Sequence, residues 1–148
     1  MGYTHALRTA GAEVLQYKQT GSYQGTWGAV CRYNGQTVLV TGYYGSCSVC
    51  DAYQSQFGYL EDDPVQDETT GKWYSDWTRE YEISQEQVDA INEEHRQKLV
   101  DFGMSYLRNP LTKDMVQSTI DRYNAKGDDD WFDNEERELY DWAIKFLI

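Results

Sequence analysis

Apolar positions change their period along this chain, and each change marks an element. From Thr26 to Tyr33 and from Gln36 to Tyr43 side chains alternate around Asn34-Gly35. Asn-Gly is the preferred two-residue type I′ loop, because both central residues need positive φ. A two-residue loop fixes the register: Tyr33 opposite Gln36, Cys31 opposite Val38, Ala29 opposite Val40, Trp27 opposite Gly42. One face then carries Trp27, Ala29, Cys31, Tyr33, Val38 and Val40 and is taken as the core face. Trp27 is expected to cover the bare Gly42.

Other stretches complete the pattern. A short helix is expected over Thr4–Gly11 and a strand over Glu13–Thr20, since a lone hairpin is marginal. Cys50, Tyr53 and Phe57 recur at helical spacing, with Ser48 and Asp51 as a capping box and Gly58 as a stop. Residues 61–76 read as an acidic loop, and the alternation of Trp77, Arg79, Tyr81 and Ile83 as a fourth strand. Ser84-x-x-Gln87 caps a long helix over Gln85–Leu107 whose stripe is Val88, Ile91, His95, Leu99, Phe102 and Tyr106. Asn109-Pro110 breaks the chain. Thr112 caps a helix bearing Val116, Ile120 and Tyr123 that Gly127 ends, and Asp133-x-x-Glu136 caps a last one bearing Leu139, Trp142, Ala143 and Phe146. The sum is a single α+β domain over 1–148: a small antiparallel sheet of three to four strands with about four helices on one face.

Charge changes this picture. The 148 residues carry a net charge of −12. Residues 61–94 hold twelve acids and two bases, and residues 128–148 eight acids and two bases, while the rest of the chain is slightly basic. Such a surface repels nucleic acid and anionic membranes and suits a basic partner. No apolar run reaches the ~18 residues of a membrane span. No secretory leader is visible, so reduced thiols and a cytoplasmic location are expected for the three cysteines.

Candidate chemistry is thin. Cys47-x-x-Cys50 has the spacing of a redox pair or half a zinc site, but no second ligand pair accompanies it and Cys31 falls at the far end of the hairpin. Buried structural cysteines are the first expectation, with Cys47 and Cys50 as weak metal candidates. His95 sits on an apolar helical stripe, and nothing supplies a triad, so catalysis by Cys47 or His95 ranks low. No cofactor is expected. The turn Gly45-Ser46-Cys47-Ser48 could present backbone N–H groups to an anion, with Tyr23, Trp27, Tyr43 and Tyr44 beside it to stack on a base. That makes Tyr23, Trp27, Tyr44, Gly45, Ser46 and Ser48 a candidate small-ligand site, for instance for a nucleotide. Asp128-Asp129-Asp130 and the acids after it lack the spacing of a calcium loop.

The run Ser22-Tyr23-Gln24-Gly25-x-Trp27, followed after the hairpin by Tyr44-Gly45-Ser46-Cys47-Ser48-x-Cys50-Asp51, resembles a family of small uncharacterised proteins of bacteriophages and some bacteria. The resemblance implies a phage origin and no defined activity. With the charge it frames the leading expectation: an interaction protein that mimics phosphates and occupies a basic site on a host nucleic-acid-handling or defence protein. Glu61, Asp62, Asp63, Asp67, Glu68, Asp128, Asp129, Asp130 and Asp133 would be its contact residues. A structural phage component is a further alternative.

Overall fold

A computed structural model describes residues 2–21, 24–45, 51–57, 64–126 and 134–148. The element order is α1 (Tyr3–Thr9), β1 (Glu13–Gln19), β2 (Gly25–Tyr33), β3 (Gln36–Tyr44), α2 (Ala52–Phe57), β4 (Val65–Gln66), β5 (Trp73–Tyr74), β6 (Glu82–Ile83), α3 (Gln85–Leu107), α4 (Lys113–Lys126) and α5 (Asn134–Ala143). The class is α+β, and the described residues form two three-stranded antiparallel sheets, β1-β2-β3 and β4-β5-β6.

The central hairpin has the register that its loop dictates. Asn34 and Gly35 both hold positive φ, 51° and 77°, and Trp27 pairs with Gly42, Ala29 with Val40 and Cys31 with Val38. A Cβ on Gly42 would lie 2.7 Å from Trp27 Nε1, so the indole does cover that glycine. Tyr3 stacks on Trp27 at 4.8 Å and Tyr106 meets it edge-on at 5.0 Å. With Leu7, Phe102 and Leu107 these rings form the larger core, so α1 and α3 close the expected face. Cys31 is buried there, and burial pushes its thiol up to about 11.

The other face is also covered, which corrects the expectation of helices on one side only. Val30 and Leu39 are fully buried against Val116 and Ile120 of α4, Ala143 of α5 and Leu147. That face reads as polar because threonines flank it, yet its centre is the apolar cross-strand pair Val30–Leu39. Gly28 leaves a hollow beside that pair, and a Cβ there would stand 2.7 Å from Leu139. The outer edge of β3 is bridged as well: Leu39 and Leu111 exchange two backbone hydrogen bonds of 2.8 Å.

Two other expectations change. Residues 65–83 form the second, smaller sheet, and the fourth strand expected from Trp77 reduces to Glu82–Ile83. Asp76 explains this: its Oδ1 accepts from the Thr78 N–H at 3.0 Å and from the Thr78 hydroxyl, which turns the chain where alternation suggests extension. Arg79 then takes a left-handed φ of 58°. The helix after the hairpin starts at Ala52, so Asp51 stands before its first turn, with its carbonyl accepting from Ser55 N. Ser48 and Gly58, its expected cap and stop, lie outside the described residues.

Candidate functional site

At the hairpin–helix junction the chain builds an anchor. Asp51 is fully buried. Its Oδ1 accepts from the Tyr3 hydroxyl and from Gly45 N–H at 3.3 Å. Tyr3 Oη also reaches the Tyr43 carbonyl at 3.2 Å. Burial, reinforced by the Asp51 carboxylate, pushes the Tyr3 phenol far above its usual range. Tyr44 Oη donates to the Thr20 carbonyl at 2.6 Å, beside the buried Thr20–Thr26 hydroxyl contact. These bonds tie α1, β3 and the start of α2 together, and each polar atom named finds a protein partner.

Two of the described residues of the expected small-ligand site are closed off by packing. Trp27 and Tyr44 are buried, with the Trp27 ring taken up by Tyr3, Tyr17 and Tyr106. Of the four aromatic candidates to stack on a base, Tyr43 alone among the described ones is free to do so, at 72% exposed. An open cavity of about 440 Å³ lies beside Gly45, lined by Gln24, Gly25, Tyr43, Tyr44 and Glu135. Among the described residues its one charged side chain is a carboxylate, the wrong sign for a phosphate. Tyr23, Ser46, Cys47, Ser48 and Cys50 lie outside the described residues. Among the described residues no three His, Cys, Asp or Glu side chains gather to hold a metal. His95 is half-buried on α3.

The acidic half of the molecule is organised differently. Residues 64–94 carry nine acids and two bases. The small sheet pairs Val65 with Tyr74 and Trp73 with Ile83, and polar bonds hold its turns. Asp67 Oδ1 accepts from the N–H groups of Thr69 and Thr70 at 2.8 and 3.0 Å, while its Oδ2 takes Arg79 Nη1 at 3.3 Å. Those two backbone donors, with the Arg79 charge adding to them, hold the Asp67 carboxyl below the usual carboxylate range. Ser75 N–H bonds the Tyr81 carbonyl at 2.9 Å, closing the loop 75–81. Trp73 Nε1 donates to Gln85 Oε1 at 3.1 Å, and Ser84 with Gln87 completes the capping box, so the sheet is fastened to the start of α3.

On that loop Trp77 is 68% and Tyr81 70% exposed, with Asp76, Glu80 and Glu82 between and beside them. The alternation that suggests a strand would bury both rings. A better signal is Arg79, an unlikely member of a core face, together with the Asp76-x-Thr78 turn. Of the expected contact acids, Asp67 turns inward to hold the two loops and Glu68 is exposed; Glu61, Asp62, Asp63, Asp128, Asp129, Asp130 and Asp133 lie outside the described residues. In α5, Glu136 accepts from Tyr123 Oη at 2.8 Å and Glu138 pairs with Lys18 at 3.4 Å.

Within the described residues no helix is long and apolar enough to cross a membrane. The two glycine- and cysteine-bearing motifs at the hairpin ends gain no support from comparison with known proteins: no family model matches the chain, and neither does any curated protein or any solved structure.

Proposed function

We propose that this chain is an interaction protein whose second sheet and first half of α3 dock on a basic surface of another protein. The observation that carries this reading is the pair Trp77 and Tyr81, each about two-thirds exposed on a loop pinned by Asp67, Asp76 and Arg79 and surrounded by carboxylates. Exposed aromatics in water are poorly accounted for by folding, and aromatic anchors dominate protein interfaces. A ring among carboxylates suits an arginine-rich surface, because the guanidinium stacks on the ring face while the acids meet its charge. A phosphate-binding site on a nucleic-acid-handling protein has that character, and a phage-encoded inhibitor would profit from occupying it.

The test is capture from a bacterial lysate with three forms of the chain: wild type, Trp77→Ala/Tyr81→Ala, and Glu80→Gln/Glu82→Gln/Glu86→Gln. A captured protein should be lost or strongly weakened with the first variant. The amide variant should associate more slowly, with the difference shrinking as salt rises, because exposed charges act over only ~8 Å at physiological ionic strength. Capture of the same proteins at the same affinity by all three forms would end this reading.

A further inference from the structure

Among the described residues β1 is a sheet edge that no other strand covers, and its sequence is self-complementary. Both faces of the main sheet are closed by helices and β3 is bridged by Leu111. Among the described residues no backbone hydrogen bond crosses the outer side of β1, and Leu15 stands 41% exposed along it. The direction of its free groups follows from one bond. Thr20 N–H donates to the Thr26 carbonyl at 2.8 Å. Antiparallel ladders alternate, so Lys18 and Gln16 also turn their backbone groups toward β2, while those of Tyr17 point outward. The register slips between Val14 and Gln16, which makes Leu15 an extra, bulged residue and puts Val14 outward as well.

The bulge has a second effect. Glu13 pairs with Arg32 and Lys18 with Gly28, so both lie on the α5 face although five positions apart. Val14 and Tyr17 lie together on the other face, packed on the main core. We infer that β1 pairs antiparallel with β1 of a second copy of this chain, across a two-fold axis at Gln16. In that register the outward groups of Val14 meet those of Tyr17 of the second copy, and Glu13 meets Lys18 of the second copy, a lysine that also pairs with Glu138 of its own chain, twice over by symmetry. Free backbone groups, facing and charge sign agree on this one alignment. A bulge and flanking charges deter indiscriminate edge pairing; here the same two charges select a partner. Two bodies of net charge −12 repel at long range, so the pairing strengthens from low to physiological salt.

The experiment is sedimentation of the full chain over a micromolar-to-millimolar series, with circular dichroism to verify folding. The wild type should show a monomer–dimer equilibrium. Glu13→Lys and Lys18→Glu should each weaken it by about tenfold, since each turns two attractive cross-strand pairs into repulsive ones. Mixing the two single variants should restore a dimer, because unlike charges then meet across the edge, and the double swap should restore it within one chain. If a variant does not fold, the wild type still decides: amide exchange at Val14 and Tyr17 should slow with concentration. A monomeric mass throughout overturns the proposal and leaves the edge to a different chain. A dimer indifferent to both swaps, or one without protection at Val14 and Tyr17, overturns it too.

Discussion

Two antiparallel sheets in this chain treat a tryptophan in opposite ways. The main hairpin has two nine-residue strands, and its Trp27 is fully buried beneath α1 and α3. The small sheet has three two-residue strands, and the loop between two of them lifts Trp77 into solvent. Length decides the difference. A nine-residue strand offers four or five side chains to each face, enough to build a core when a helix lies on it. A two-residue strand offers one. The small sheet therefore leans on polar bonds: Asp67 with its turn and Arg79, Asp76 with Thr78, Trp73 with Gln85. Apolar burial holds the first region and hydrogen-bonded turns hold the second, so the second should open locally at far lower cost.

Truncating the two tryptophans should separate the two regions most widely. Trp27→Ala should cost about 3–5 kcal/mol in urea unfolding, by loss of buried area and an unfilled cavity. Trp77→Ala should fall within about 0.5 kcal/mol of wild type, as exposed substitutions do. Equal effects would mean that the two sheets share one core. A smaller effect, confined to the first region, is expected at Gly103, where α3 meets α1. A Cβ there would stand 2.3 Å from the Ala6 carbonyl, a backbone atom that cannot rotate away. Gly103→Ala should cost roughly 1–3 kcal/mol and loosen exchange protection in α1. The smallest effect is the most selective. Asp67 has its folded pKa held down, so its carboxylate supports the small sheet above the ordinary aspartate value, ~3.9, and that support is lost as pH falls through the lower folded value. Protection at Thr69, Thr70 and Trp73, measured relative to the intrinsic exchange rate at each pH, should therefore fall in acid while Ala29 and Val40 stay protected. Asp67→Asn should bring the same local loosening to neutral pH. Uniform loosening of both sheets would dissolve the distinction.

The same contrast separates what was legible in the residues from what was not. Asn34-Gly35 announces its turn type and thereby the pairing of eighteen strand residues. Ser84 and Gln87 announce the start of α3, and its apolar stripe carries it to Leu107, the observed end. These signals are local and strong. Placement of α4 and α5 on the second face was not legible, because it depends on Val30 and Leu39 meeting across strands between threonines, and on the hollow at Gly28. The small sheet was hidden by a false alternation: Trp77, Arg79, Tyr81 and Ile83 have a strand's period, but Asp76 turns the chain before the period can act. The candidate site followed the fold. The junction residues are a structural anchor once Asp51 is seen buried, a position that no spacing rule foretells for a carboxylate. The exposed rings emerge only when the expected fourth strand gives way to a loop.

One consequence belongs to α3 as a rod. Twenty-three residues at ~1.5 Å each make a shaft of roughly 34 Å, about four screening lengths in physiological salt. Its first half carries Glu86, Asp89, Glu93 and Glu94, and its second half Arg96, Lys98 and Asp101 with Arg108 at the cap; Arg96 and Lys98 pair with Glu93 and Glu94 at the middle. Only Glu86 of these acids lies in the first turn, where the helix dipole favours it, and the last turn itself carries no base. The far end of the helix is thus screened from the field of its acidic end. In the field of a charged surface, though, a body with separated charge experiences a torque as well as a pull. It turns before it touches, and the charges of α3, taken by themselves, would swing its acidic N-terminal half toward a basic surface.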